Sequence, residues 1–213
     1  MTRTTSLILA LFFAPFFAQA QNPQQFEKEI ERFAHIEVPE NSEVVVFTGS
    51  SSIRFWEDLS ADCDDSYAIN TGFGGSQMSD LLFYLEETVL RFKPKQVYIY
   101  EGDNDIVNLK STNEILETTK QVVNQIKKQL PEVQLYIISA KPSPSRWAFQ
   151  KQYLELNTSF KNYCETTENL NFIDIWPAML NTKGRPEGSL FIADSLHMNR
   201  KGYVIWKDVI CKN

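Results

Sequence analysis

Histidine is the scarcest reactive residue in this 213-residue chain: His35 and His197 are the only two. Two imidazoles are too few for a metal centre built mainly on histidine. Cysteine is almost as rare. Cys63, Cys164 and Cys211 contain no C-x-x-C pair, which argues against a zinc ribbon or a dithiol redox motif. Basic residues are outnumbered, with 21 Lys and Arg against 27 Asp and Glu and a net charge of −6. No Lys/Arg run offsets that balance, so a nucleic-acid partner, which demands a basic face, is excluded. Repeats, low-complexity tracts and long linkers are absent. The longest apolar run, Leu7 to Phe17, falls short of the ~20 residues that span a bilayer as a helix.

What remains describes a globular domain: 43% hydrophobic, 13% aromatic and 23% charged residues, at a length that suits one core. Residues 1–20, MTRTTSLILALFFAPFFAQA, have a positive start at Arg3, an apolar centre and small residues at Ala18 and Ala20. This pattern predicts a secretory signal cut before Gln21, with an uncleaved membrane anchor as the alternative. No cysteine follows the run to carry a lipid. The expected mature protein is exported, periplasmic or extracellular, without stable membrane insertion. Export permits one disulfide among the three cysteines, whose spacing does not choose the pair; three buried unpaired thiols are the alternative reading.

Residues 21–42 are polar and rich in Gln and Glu, with Phe26, Ile30 and Phe33 at helical spacing, and predict an N-terminal helical segment. His35 within it reads as a surface residue. The domain expected over 43–213 begins with a new rhythm. Val44–Phe47, Tyr67–Ile69, Val97–Tyr100, Val133–Ile138 and Leu170–Ile175 are short apolar runs of the kind buried on both faces of a parallel sheet. Helical patterns separate them. Met78, Leu81, Leu82, Leu85, Val89 and Phe92 share one helical face, as do Ile115, Leu116, Val122, Val123, Ile126 and Leu130, where Pro131 stops the helix. Residues 147–167 predict a third helix, and Asn199 caps a last one to about residue 211. Strand–helix alternation predicts an α/β fold, a three-layer α/β/α sandwich around a mostly five-stranded parallel sheet. Right-handed crossovers bring the functional loops to the carboxyl ends of its strands.

Four segments fall at that edge. Thr48-Gly49-Ser50-Ser51-Ser52 places hydroxyls on a sharp turn at a helix start, where a serine-rich N-cap is the plainer reading. Asn70-Thr71-Gly72-Phe73-Gly74-Gly75-Ser76 presents backbone N–H groups to an anion, without the Lys of a P-loop or the spacing of a dinucleotide site. Glu101-Gly102-Asp103-Asn104-Asp105 offers a neutral amide donor at Asn104. Its three carboxylates read as an Asx-rich turn before they read as a metal site. Finally, Asp194-Ser195-Leu196-His197 sets a carboxylate three residues before an imidazole, the arrangement that orients a general base.

In this order the four segments resemble the blocks of the SGNH, or GDSL-type, serine esterase superfamily, from about residue 43 to the end. The first block departs from the usual Gly-Asp-Ser-Leu and reads Gly49-Ser50-Ser51-Ser52-Ile53. The family offset from glycine makes Ser51 the nucleophile, with Ser50 and Ser52 as the other candidates. The resemblance implies the flavodoxin-like SGNH fold and a catalytic set of Ser51, His197 and Asp194. It also implies an oxyanion hole of the Ser51 and Gly75 backbone N–H groups and the Asn104 amide, and no metal or organic cofactor. Arg54, Trp56, Arg146 and Trp147 lie in loops at the same edge and are candidate substrate contacts, the tryptophans for a sugar ring and Arg146 for a carboxylate; for tryptophans in such loops, structural packing is the plainer reading. The expected activity is hydrolysis of small carboxylic esters, O-acetylated glycans among them. The rival readings are a lysophospholipase or thioesterase of longer acyl chains, a catalytically silent glycan-binding protein on the same scaffold, and a metal-dependent phosphoesterase built on the carboxylates around Asn104.

Overall fold

Five runs of β-branched and aromatic residues pair into a single sheet. They are β1 (Val44–Gly49), β2 (Tyr67–Gly72), β3 (Gln96–Tyr100), β4 (Gln134–Ile138) and β5 (Leu170–Ile173). All pairings are parallel, in the order β2-β1-β3-β4-β5. The computed structural model describes residues 22–39, 42–64 and 67–212; the expected leader lies outside them.

The strands are apolar on both sides because both sides are covered. Val44, Val46, Val97, Ile99, Leu135 and Ile137 face one core, and Val45, Phe47, Tyr98, Tyr100 and Ile138 the other. The first core is closed by the helices Thr112–Gln129 and Gln150–Glu165; the second is closed by Arg200–Ile210, which inserts Tyr203, Trp206 and Ile210. The helix Thr112–Gln129 buries Ile115, Val122, Val123 and Ile126 on one stripe, each contributing about 1.5–3 kcal/mol, and Ser111 and Glu114 cap it reciprocally. The side chain of Asn199 accepts the Lys201 and Gly202 N–H groups at the head of the last helix.

The stretch 78–92 departs from the single helix its periodicity predicts. It forms Met78–Phe83, then Leu85–Thr88, then a 3-10 turn at Leu90–Phe92. The breaks fall at Tyr84 (ψ 25°) and Val89 (φ −134°), where Thr88 and Val89 are both β-branched and resist helix continuation. The apolar side chains still reach the core, because short helical turns that keep the same face satisfy the same burial. Upstream, Pro23–His35 forms a succession of short helical turns that bury Phe26, Ile30 and Phe33. Cys63 pairs with Cys211 across a Cα separation of 5.1 Å, tying the end of the last helix to the β1–β2 crossover, and Cys164 is free and buried.

Candidate active site

The four loops that follow the strands are joined to one another by hydrogen bonds. Gly49 leaves β1 with φ 127°, and a Cβ there would lie 2.0 Å from the Tyr100 carbonyl oxygen. Only glycine permits β1 to turn so close to β3. The turn lets the Ser50 N–H donate to that carbonyl at 3.1 Å and the Phe73 N–H donate to the Gly49 carbonyl at 2.8 Å. The Asn104 amide Nδ2 donates to the Ser76 carbonyl at 2.8 Å. The chain after β1, the glycine loop after β2 and the Asn loop after β3 thus form one frame.

Of the three adjacent serines, Ser50 and Ser52 are 1% and 2% exposed. Ser51, the first residue of the short helix Ser51–Arg54, is part-exposed, and its Oγ lies 3.0 Å from His197 Nε2. The other ring nitrogen, Nδ1, lies 2.6 Å from Asp194 Oδ2. Asp194 Oδ1 accepts the backbone N–H groups of Leu196 and His197, each at 2.9 Å, so the turn itself orients the carboxylate. Partial burial pushes this carboxyl up, but the bonds from the His197 ring and the two backbone N–H groups outweigh it and hold it at about 2. An ionised carboxylate only accepts, so Nδ1 is the donor to Asp194 and Nε2 is left to accept from the Ser51 hydroxyl. Phe55 packs edge-on against the imidazole, with centroids 5.0 Å apart.

Gly75 is exposed, with φ 83°, and among the described residues neither its N–H nor that of Ser51 has an acceptor. Asn104 is 8% exposed; its Oδ1 accepts from Arg146 at 3.0 Å. The three carboxylates of this loop diverge. Glu101 accepts from the Ser76 hydroxyl, Asp103 pairs with Lys141 and Arg146, and Asp105 pairs with Lys110 and accepts the Met78 N–H. Burial pushes the Glu101 carboxyl well up, whereas Asp103 is held below the carboxylate range by Lys141, Arg146 and Tyr153 against its own burial.

Of the remaining candidates, Trp56, Trp147 and Arg146 are engaged within the fold and Arg54 stays at its edge. Trp56 is 1% exposed, its ring enclosed by Phe47, Tyr203 and Trp206 and its indole N–H donating to Asp62 at 2.8 Å. The ring packs in the core and only grazes the wall of the cavity beside His197, and Asp62 gives its polar edge a partner inside the fold. Trp147 is sandwiched between Trp176 and the Arg185 guanidinium. The Arg146 guanidinium is engaged by Asp103 and Asn104. Arg54 stays at the exposed edge, paired with Glu29 at 2.8 Å. Glu29 carries no motif, yet it also accepts the Gly74 N–H at 3.2 Å, and Arg32 donates to the Gly72 carbonyl, so the N-terminal segment braces the glycine loop. A cavity of about 320 Å³ opens beside His197, walled by Phe55, Ile192, Met198, Asn199, Arg200 and Tyr203.

Similar folds carry related names. At a TM-score of 0.78 and 17% identity, a Streptococcus pneumonia protein provisionally described as a platelet activating factor matches 89% of this chain and 91% of its own. A GDSL-like lipase from Bacteroides thetaiotaomicron matches at 0.72 and 18%, covering 90% and 96%. An acetylxylan esterase from Geobacillus stearothermophilus matches at 0.68 and 15%, covering 83% and 95%. At these identities the likeness is one of fold. No curated protein matches the sequence. The model of the GDSL-like Lipase/Acylhydrolase family matches residues 43–205, the span that holds all four loops. The chain therefore belongs to the GDSL-like lipase/acylhydrolase family and is a hydrolase acting on esters.

Proposed function

We propose that the protein is an exported serine esterase that removes small acyl groups, O-acetyl groups on glycans foremost, through Ser51, His197 and Asp194. The observation that carries this reading is the continuous relay from Asp194 Oδ2 through the imidazole to Ser51 Oγ, at 2.6 and 3.0 Å. His197 Nε2 takes the hydroxyl proton as Oγ bonds to the ester carbonyl carbon. The carbonyl oxygen becomes an oxyanion facing the Ser51 and Gly75 N–H groups and the Asn104 amide. Collapse expels the alcohol, which receives the proton from Nε2. Water repeats the sequence on the acyl-enzyme and releases the acid.

The alcohol oxygen must depart within reach of Nε2, so the cavity that His197 lines receives the alcohol half of the ester. Half-exposed Phe55 and Ile192 offer it apolar faces, and the Glu57 carboxylate at the rim offers a polar partner. A hydroxyl-rich ring has both kinds of surface. The likeness to an acetylxylan esterase supports the same class. Export is supported by the N-terminal residue pattern and by the Cys63–Cys211 pair, which an oxidising compartment preserves.

A fluorophosphonate probe tests the proposal. It should label the wild-type protein once, on the peptide holding Ser51. Ser51→Ala should abolish labelling and ester turnover while leaving the melting curve in place. An unlabelled wild type would favour a silent glycan binder; full activity of Ser51→Ala would end the model. With p-nitrophenyl esters, acetate should be preferred. A preference for about eight carbons or more would instead point to a lysophospholipase or thioesterase, since each buried CH₂ contributes about 0.8 kcal/mol.

A further inference from the structure

We propose that Arg146 is a positioning residue that fixes and polarises the Asn104 amide. The inference rests on the reading of Asn104 as an oxyanion donor. A carboxamide is nearly symmetric in shape and opposite in polarity at its two ends. With Nδ2 toward the substrate it stabilises an oxyanion; with Oδ1 there it repels one. Two contacts settle the orientation. Nδ2 donates to the Ser76 carbonyl at 2.8 Å, and Oδ1 accepts from Arg146 at 3.0 Å. A carbonyl only accepts and a guanidinium only donates, so a flipped amide would set acceptor against acceptor and donor against donor. One Nδ2 hydrogen is engaged by Ser76, which leaves the other for the reacting oxygen.

Arg146 is itself held. Its other terminal nitrogen donates to Asp103 Oδ1 at 2.6 Å. Asp103 is buried, and its two oxygens are further engaged by Lys141 at 3.1 Å, by the Tyr100 hydroxyl at 3.2 Å and by the Tyr153 hydroxyl. The planar guanidinium bridges this anchor to the amide, a span that a single ammonium cannot reproduce. The cluster holds two cations, Lys141 and Arg146, around one carboxylate, so it presents net positive charge behind the amide. A cation bonded to Oδ1 draws electron density from the amide and makes Nδ2–H a stronger donor in a low-dielectric setting. The Arg146 side chain is 18% exposed and both its terminal nitrogens are committed to Asp103 and Asn104, so it serves the site from behind.

The test is a double-mutant cycle with Asn104→Ala and Arg146→Met on p-nitrophenyl acetate. Arg146→Met should lower kcat by about 10–100-fold, within the range for a weakened oxyanion donor, with KM within about threefold. Arg146→Lys should recover only part of that loss. In the Asn104→Ala background, Arg146→Met should cost less than about threefold more, because the group it acts through is gone. An unchanged kcat for Arg146→Met, or the same factor lost in both backgrounds, would overturn the inference. Should Arg146→Met fail to fold, Arg146→Gln and Arg146→Lys complete the same cycle with the same criteria. Failure of the underlying esterase reading shows separately, as wild-type protein that neither turns over ester nor takes the fluorophosphonate label.

Discussion

Replacing Asp194 by Asn keeps the shape of the site and reverses its proton logic. The asparagine has two orientations. With its oxygen toward the Leu196 and His197 N–H groups, as Oδ1 lies now, its NH₂ faces Nδ1 of the imidazole. Nδ1 must then accept, the ring proton moves to Nε2, and Nε2 confronts Ser51 Oγ across 3.0 Å as a donor, unable to take a proton. The other orientation preserves the working tautomer but turns the NH₂ against two backbone donors. That forfeits two hydrogen bonds of ~0.5–1.5 kcal/mol each, taken as net values because Asp194 is partly solvated. The change from carboxylate to amide also weakens the charge-assisted bond that supports the imidazolium in the transition state, by about 1–2 kcal/mol. Together these give about 2–5 kcal/mol, or about 30- to 5,000-fold lost from kcat/KM, the upper end approaching the ~10⁴ for the same change in other Ser-His-Asp enzymes. Hydrolysis of p-nitrophenyl acetate and the rate of fluorophosphonate labelling should fall together while the melting temperature holds. A loss below tenfold in a folded variant would refute the reasoning, since something other than Asp194 would then orient His197.

Gly49→Ala should destabilise the fold by about 2–6 kcal/mol, combining a positive-φ penalty with a backbone clash that no rotamer can relieve. Urea unfolding at constant m measures it, and a shift below about 0.5 kcal/mol would contradict the close approach of Gly49 to Tyr100. Without reductant the unfolded protein should present one thiol per chain, from Cys164, since Cys63 is paired with Cys211. In the native state at pH 8 that thiol should resist modification, because burial pushes it up to about 12. Three thiols in the unreduced protein would disprove the pairing. Reduction of the Cys63–Cys211 bridge should cost about 2–5 kcal/mol, as the bond closes most of the domain into one loop.

The sheet was legible in the sequence because its cause is local. A strand covered on both faces must be apolar at nearly every position, so Val44–Phe47 and Val97–Tyr100 stand out without any knowledge of their neighbours. The helix Thr112–Gln129 is legible for a similar reason, with its period and Pro131 lying within one segment. Stretch 78–92 was not, because periodicity reports which side chains are buried and says nothing of where the backbone breaks. The order of the blocks was readable too, and with it the family. What each polar side chain faces was not. Trp56 follows the serine turn in sequence but packs inward, since Tyr203 and Trp206, from the far end of the chain, enclose its ring. Glu29 reached no motif because its partners, Arg54 and Gly74, lie far along the chain. Arg146 looked available to a substrate until Asp103 and Asn104 were seen to hold both ends of its guanidinium.

The sequence by itself therefore determined the strands, the long helices, the layered α/β architecture and the reactive residue types at its edge, because burial and turn chemistry act over a few residues. Only the tertiary structure decided which of three adjacent serines meets His197, which cysteines pair and which charges are engaged. Those outcomes depend on distances of a few ångströms between groups up to 148 residues apart, and such distances exist only once the strands have been laid side by side.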